Sequence, residues 1–346
     1  MREEKLMKLS NKLFGAFLAS VLISLSSTAF AFTACQVTDI GGVDDKGFNA
    51  TSWKGVQDAV AKHGIGSKLL ESNAETDYVP NLNSFVSEGC DIIVSVGFLM
   101  GEATANAAKE NPDSKFAIVD FAYDPTIPNV MGLIYNTDEA AFLAGYLAAG
   151  VSKTGIVGTF GGINIPPVTI FMDGFVAGVN HYNKTKGTNV TVLGWDPVSK
   201  EGLFTNNFSS LDDGRAFAQN LYDEGADIVM PVAGPVGLGS AALASELGTD
   251  SLKIIGVDVD QYVLDTKNQS VYLTTVEKGM DATVLGAIES AKNGSFKGGV
   301  YVGTLANNGV RIAPYHDLSS SVSNGLNNEI KKLRSSIING FLSVKN

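Results

Sequence analysis

Three carboxylates and one glycine-rich run stand where short apolar stretches end, and those are the positions at which this sequence can do chemistry. Asp39 leads from the run 35–40 into Gly41-Gly42-Val43-Asp44-Asp45-Lys46-Gly47-Phe48-Asn49, and Asp120 follows Ile118-Val119. Further on, Val232-Ala233 opens into Gly234-Pro235-Val236-Gly237-Leu238-Gly239, and Gly256-Val257 leads to Asp258, Val259 and Asp260. Carboxylates accept several hydrogen bonds, and glycine lets a backbone turn sharply or approach a bound molecule, so the set suits capture of a small polar compound. Phe48 stands beside Lys46, Gly47 and Asn49, which are not core types, and this favours a site over a core position. Asp44 and Asp45 fall where a helix N-cap is expected, and Asp45 reads as a structural cap rather than a ligand contact. Of Asp258 and Asp260 only one needs to face a ligand. Trp195, two residues after Leu193, reads as core.

Catalytic signatures are missing from the sequence. It has no Gly-x-Ser-x-Gly elbow, phosphate loop, His-Glu-x-x-His, Cys-x-x-Cys or calcium-loop pattern. His63, His181 and His316 lie in polar segments without metal-ligand spacing and read as solvated. The Asp44-Asp45 pair invites a metal or hydrolytic reading, but adjacent residues at a helix start point different ways, and no further acid cluster accompanies them. Binding is therefore read ahead of catalysis, with no metal or cofactor expected.

The elements that must position these residues follow from periodicity. Short β-rich runs at 35–40, 67–72, 91–97 and 115–121 alternate with helical spacing such as Trp53, Val56, Val60 and Tyr78, Leu82, Phe85, Val86. This is the βαβ rhythm of a parallel sheet, an α/β class. It restarts at Thr154-Gly155-Ile156-Val157-Gly158-Thr159-Phe160 and continues through 188–195, 227–233 and 252–259, which predicts a second lobe of the same kind. No Pro/Ser-rich linker separates the halves, so strand-like hinges are expected near 150–153, 258–262 and 303–306. Ligands of open α/β sheets bind beyond the carboxyl ends of the strands, which is where the residues above stand.

The N-terminus sets the compartment. Arg2, Lys5, Lys8 and Lys12 precede an apolar run from Leu13 to Leu25 and a small-x-small site at Ala29-Phe30-Ala31. That order predicts a cleaved signal peptide over 1–31, because the apolar run is short of the roughly 20 residues that a spanning helix needs. A lipobox-like reading of Phe32-Thr33-Ala34-Cys35 ranks below it, since Cys35 runs straight into the first strand and leaves no tether. Cys35 and Cys90 each begin a predicted strand, and the first and third strands of a doubly wound sheet are neighbours, so a Cys35–Cys90 disulfide is expected, with two free thiols as the alternative. The formal charge of −11, more negative still without the leader, argues against nucleic acid or an anionic membrane as partner. With 45% hydrophobic residues the chain can bury a sizeable core, and its length favours two domains.

The stretch from Asp39 to Asn49 resembles the opening signature of the basic membrane protein (BMP) family of ABC-transporter substrate-binding proteins, the group of the purine nucleoside receptors. Gly161-Gly162-Ile163-Asn164-Ile165-Pro166-Pro167-Val168, Met172-Asp173-Gly174-Phe175, the Ala233–Gly239 turn, Gly256-Val257-Asp258-Val259-Asp260-Gln261 and Val276-Glu277-Lys278 are similar to its later blocks, in order. The resemblance implies a type I periplasmic-binding fold of two Rossmann-like lobes with a ligand cleft and three crossovers. The expected boundaries are 32–150 plus about 262–303 for the first lobe, and 151–261 plus about 304–346 for the second. It also implies roles: Phe48 stacking on a base, Asn49 and Asp120 on the base edge, Asp39 as a first-lobe contact, Asp258 and Lys278 on ribose hydroxyls. The backbone amides of the Gly234 to Gly239 turn, with Gly234 and Gly237 named as contacts, would hold the remaining oxygens, and Phe208 is the candidate second aromatic. Gly47 stands where the family more often has Ser, which leaves no hydroxyl there. An ABC permease is the implied partner, the monomer the expected state, and the outside of the cytoplasmic membrane the expected place. The alternatives are a sugar or quorum-signal receptor of the same fold and, behind these, a nucleoside-cleaving enzyme.

Overall fold

In the computed structural model, which describes residues 32–345, two six-stranded sheets are each covered by helices on both faces. The leader expected over 1–31 lies outside the described residues. The first sheet is built from β1 (Thr33–Val37), β2 (Gly66–Leu70), β3 (Ile92–Val96), β4 (Phe116–Val119), β5 (Val130–Tyr135) and β13 (Gly299–Gly303), in the order β13-β5-β4-β3-β1-β2, and all its pairings are parallel. The second has β6 (Ile156–Gly161), β7 (Thr191–Leu193), β10 (Ile228–Val232), β11 (Lys253–Asp258), β12 (Tyr272–Lys278) and β14 (Val310–Ile312), in the order β14-β12-β11-β10-β6-β7. Only β14 runs antiparallel within it. A small hairpin of β8 (Trp195–Asp196) and β9 (Glu201–Gly202) lies beside β7 in sequence. The central strands β3, β4, β10 and β11 are buried throughout, as parallel strands covered on both faces must be, which is why they read as continuous apolar runs.

Helices α1 (Phe48–His63), α2 (Tyr78–Ser87) and α3 (Gly101–Glu110) belong to the first lobe. Helix α4 (Thr137–Val151) follows β5 but packs in the second lobe, against α5 (Pro166–Lys186). Glycines make that contact close: a Cβ on Gly145 would come 2.1 Å from the Phe175 carbonyl oxygen, and one on Gly178 would come 2.0 Å from that of Phe142. Helices α6 (Leu211–Asp223) and α7 (Val236–Leu247) cover the other face, and the short α8 (Gln261–Leu264) follows β11. Helix α9 (Met280–Lys292) returns to the first lobe and packs on α1, while α10 (Asn324–Ile338) packs on α4.

Three crossovers therefore join the lobes, at 135–137, 278–280 and 303–310, and two of them differ from expectation. The first is expected near 150–153 but comes earlier, because the run Val130-Met131-Gly132-Leu133-Ile134-Tyr135, interrupted by a glycine, forms an additional strand, β5, that periodicity does not show. The second is expected near 258–262, with the first lobe's return near 262. Strand β12, polar in sequence (YLTTVEK) yet buried at every position, keeps the chain in the second sheet as far as Lys278.

Cys35 on β1 and Cys90, just before β3, form a disulfide with a Cα–Cα distance of 6.1 Å. The two strands are direct neighbours, with Cys35 opposite Ile93. No helix among the described residues is long and apolar enough to cross a membrane.

Candidate functional site

Two aspartates with unusual backbones mark the site. Asp120 directly follows β4 and Asp258 ends β11, one in each lobe, and both adopt left-handed conformations, φ 64° and φ 72°. Such a conformation costs a non-glycine residue about 1–3 kcal/mol, and it persists where the surroundings over-determine it. What holds both is Lys278, the last residue of β12. Its Nζ donates to Asp120 Oδ2 at 2.6 Å and lies 3.3 Å from Asp258 Oδ1, with all three side chains less than a tenth exposed. Burial works against the ammonium, but the two carboxylates outweigh it and hold the Lys278 pKa above its ordinary value. The same Nζ is 5.1 Å from the ring centroids of both Phe48 and Phe171 and 5.9 Å from that of Tyr135, within cation–π range.

A third carboxylate faces the same space. Asp39 lies just past β1, and its Oδ1 accepts from Asn49 Nδ2 at 2.7 Å and from the Gly41 amide at 2.9 Å. Burial raises its pKa above the ordinary carboxylate value against those two hydrogen bonds, and Asp258 adds to the rise. Gly97 makes the room: a Cβ there would come 3.0 Å from Asp39 Oδ2, and its φ of 121° suits no other residue type.

Asp45 caps α1 from its side. Its carboxylate accepts from the backbone amides of Gly47, Asn49 and Ala50 and from Asn49 Nδ2, at 2.7 to 3.2 Å. Burial nevertheless pushes its pKa up to about 6. A carboxyl whose folded pKa exceeds its unfolded 3.8 contributes stability at low pH that is lost as pH rises through the folded value. Denaturation of the wild type should therefore show stability falling by about 2 kcal/mol between pH 4 and pH 7 on account of Asp45. Asp45→Asn should reduce that slope and leave the part due to the other buried carboxyls whose pKa values are raised, Asp39 and Asp120 among them; an unchanged slope would show that Asp45 does not titrate there.

These groups line one cavity of about 660 Å³, measured out to its open mouth between the lobes. Of the residues singled out in the sequence, Asp39, Phe48, Asn49, Asp120, Phe208, Gly234, Asp258 and Lys278 all border it. Gly237 does not. It sits in the first turn of α7 against Pro231 and borders a separate cleft of about 230 Å³ with Gln261 and Tyr272. Asn49 also differs from expectation, because its Nδ2 is committed to Asp39 and Asp45, and its Oδ1 is buried without a partner. It orients Asp39 instead of offering a donor to the cavity. Asp45, read as a cap alone, both caps α1 and borders the cavity.

Sequence reasoning missed Phe98 and Phe171. Phe171 shares α5 with Val168, Met172 and Phe175 at helical spacing and so looks like core, while Phe98 looks like a continuation of β3. Trp195 is buried and donates to Asp173 Oδ1 at 2.9 Å, consistent with a core role. The histidines are not simply solvated. His63 Nε2 pairs with Glu289 at 2.6 Å, and His316 pairs with Asp260 at 2.8 Å and stacks on Tyr262, while His181 packs against Phe142. Their partners are distant in sequence, so local polarity concealed them. No group of three or more metal-ligating side chains occurs among the described residues.

Comparisons with known proteins agree with this architecture. The family model described as ABC transporter substrate-binding protein, PnrA-like (Bmp), matches residues 32–346. A Lactococcus lactis protein named ABC transporter nucleoside-binding protein BmpA is 32% identical over 327 residues, covering 90% of this chain and 88% of its own. Basic membrane protein A of Borreliella burgdorferi is 31% identical over 338 residues, covering 95% and 94%. Among solved structures, an ABC transporter solute-binding protein from Aeropyrum pernix K1 matches with a TM-score of 0.81 at 23% identity, over 90% of this chain and 92% of that one. That likeness concerns the fold, the two-lobed type I architecture of periplasmic solute-binding proteins. With the match running from Phe32 to the last residue, this chain belongs to the Bmp family of PnrA-like ABC transporter substrate-binding proteins.

Proposed function

We propose that this protein is an extracytoplasmic receptor that captures a nucleoside, by preference a purine nucleoside, in the interlobe cavity and delivers it to an ABC permease. The observation that carries the reading is the arrangement around Lys278, where aromatic rings from both lobes and carboxylates from both lobes converge on one point. A nucleoside joins a flat base to a ribose with adjacent hydroxyls. Phe48 from the first lobe, with Phe171 and Phe208 from the second, supplies apolar faces for the base. Asp39 and Asp120 are acceptors for its N–H groups, Asp258 accepts from ribose hydroxyls, and Lys278 donates to their oxygens. The Lactococcus relative named for nucleoside binding supports the ligand class. A cleaved leader over 1–31 and a monomer that presents both lobes to the permease belong to the same reading.

Calorimetric titration of ligand-stripped protein with inosine, guanosine, adenosine, uridine and ribose tests it. Tight binding of purine nucleosides and none of ribose is expected, and Phe48→Ala should weaken binding by roughly 5- to 150-fold, the worth of one base–aromatic stack. Binding of ribose alone would overturn the nucleoside assignment and leave a sugar receptor of the same fold.

A further inference from the structure

A second polar contact crosses from lobe to lobe outside the cavity. Gln261, the first residue of α8 in the second lobe, donates from Nε2 to the backbone oxygen of Lys46 in the first lobe at 3.2 Å. Neither Gln261 nor Lys46 borders the ligand cavity. The acceptor is held in place from its own side. Lys46 has a left-handed φ of 51°, and the N–H of the same peptide unit, that of Gly47, donates to Asp45 Oδ1 at 2.9 Å. A peptide whose N–H is engaged by a carboxylate is a better acceptor at its oxygen.

The donor is seated as firmly. The Gln261 backbone amide donates to Thr275 Oγ1 at 3.2 Å, and Gly256 leaves space for its side chain: a Cβ there would come 2.8 Å from Gln261 Cγ. Gln261 Oε1 is buried without a partner, so turning the amide over would set oxygen against the Lys46 oxygen and gain nothing. The contact across the lobes, with a longer one to the Val257 oxygen at 3.5 Å, orients this amide.

We propose that Gln261 is a positioning residue, a latch on the Lys46–Gly47 peptide that sets the balance between closed and open lobes without touching the ligand. Asp45 links this latch to the cavity, since the carboxylate that fixes the peptide also holds Asn49, and Asn49 holds Asp39. Apparent affinity scales with the population of the state that holds ligand, so a residue remote from the ligand governs how long it stays. The latch rests on the receptor reading only in that the lobes must part to admit a ligand, whatever that ligand is.

Small-angle scattering from ligand-free protein decides it. Gln261→Glu keeps the shape of the side chain but faces the Lys46 oxygen with another acceptor, and Gly256→Ala pushes Gln261 off its seat. Both variants should show a larger radius of gyration than the wild type at unchanged near-ultraviolet circular dichroism. If inosine binds, its dissociation rate from Gln261→Glu should rise by roughly 2- to 12-fold, the worth of one hydrogen bond, with the association rate held or increased. Folded variants of both kinds that scatter like the wild type would overturn the latch. Wild-type protein that ignores inosine while Gln261→Glu still opens would fault the choice of ligand and leave the latch standing.

Discussion

Lys278→Met should destabilise the folded protein by about 3–5 kcal/mol at pH 7, the usual cost of leaving buried charges without their partner. The lysine stands between Asp120 and Asp258 and pairs with both, with Asp39 facing the same cavity, and Met replaces its length and apolar stem without its charge. The loss should depend on pH in a defined sense. Burial already raises the Asp120 pKa against the pull of Lys278, so without the ammonium Asp120 takes up a proton more readily in the folded chain than in the unfolded one, and stability falls as pH rises. Urea denaturation at pH 5 and pH 8 should therefore show a deficit relative to wild type that grows with pH. A deficit equal at both would mean that the lysine acts through packing alone. The same variant should lose most of its ligand affinity, because the charge that draws a strand end from each lobe to one point is gone.

Replacing both Cys35 and Cys90 by Ala should cost about 4 kcal/mol, the chain-entropy worth of closing a loop of this size. The bond joins residues 55 apart and encloses β1, α1, β2 and α2, so it restricts a large part of the first lobe in the unfolded chain. A fall in melting temperature on the order of 10 °C is the expected result in calorimetry under non-reducing conditions. The second lobe, which contains neither cysteine, should keep its near-ultraviolet signature at temperatures where the first has lost its own. A simultaneous loss of both would show that the lobes unfold as one cooperative unit.

Much of this was legible in the sequence, for identifiable reasons. Strand ends could be found because β1, β3, β4, β10 and β11 are apolar runs bounded by glycine or aspartate, and ligands of such sheets bind beyond those ends. Asp39, Asp120, Gly234 and Asp258 were singled out on that ground and do share a cavity. The cysteines could be paired because neighbouring strands in a doubly wound sheet follow a rule. What stayed hidden depends on contacts made far along the chain. Phe171 has the spacing of a core residue, and only the approach of α5 to Lys278 brings it to the cavity. β12 carries threonines, a glutamate and a lysine, which read as exposed until β11 and β14 flank the strand and α4 packs on it. That polar strand is why the second crossover lies at 278–280 and not where the apolar pattern ends near 259. Asn49 was legible as a polar residue at the site, but its commitment to two carboxylates was not.

The three crossovers also govern how this chain can be made. The first sheet gains its edge strand, β13, only from residues 299–303, and α1 gains its cover, α9, only from 280–292. A chain that emerges from a ribosome or a translocation pore from its N-terminus thus cannot complete even its first lobe until nearly all of it is out. The lobes cannot be made as an N-terminal half and a C-terminal half, and a chain cut after residue 150 would hold a sheet without its edge and a helix, α4, without α5. The same interleaving that ties the two lobes together by three crossovers thus makes completion of either one wait on the C-terminal part of the chain.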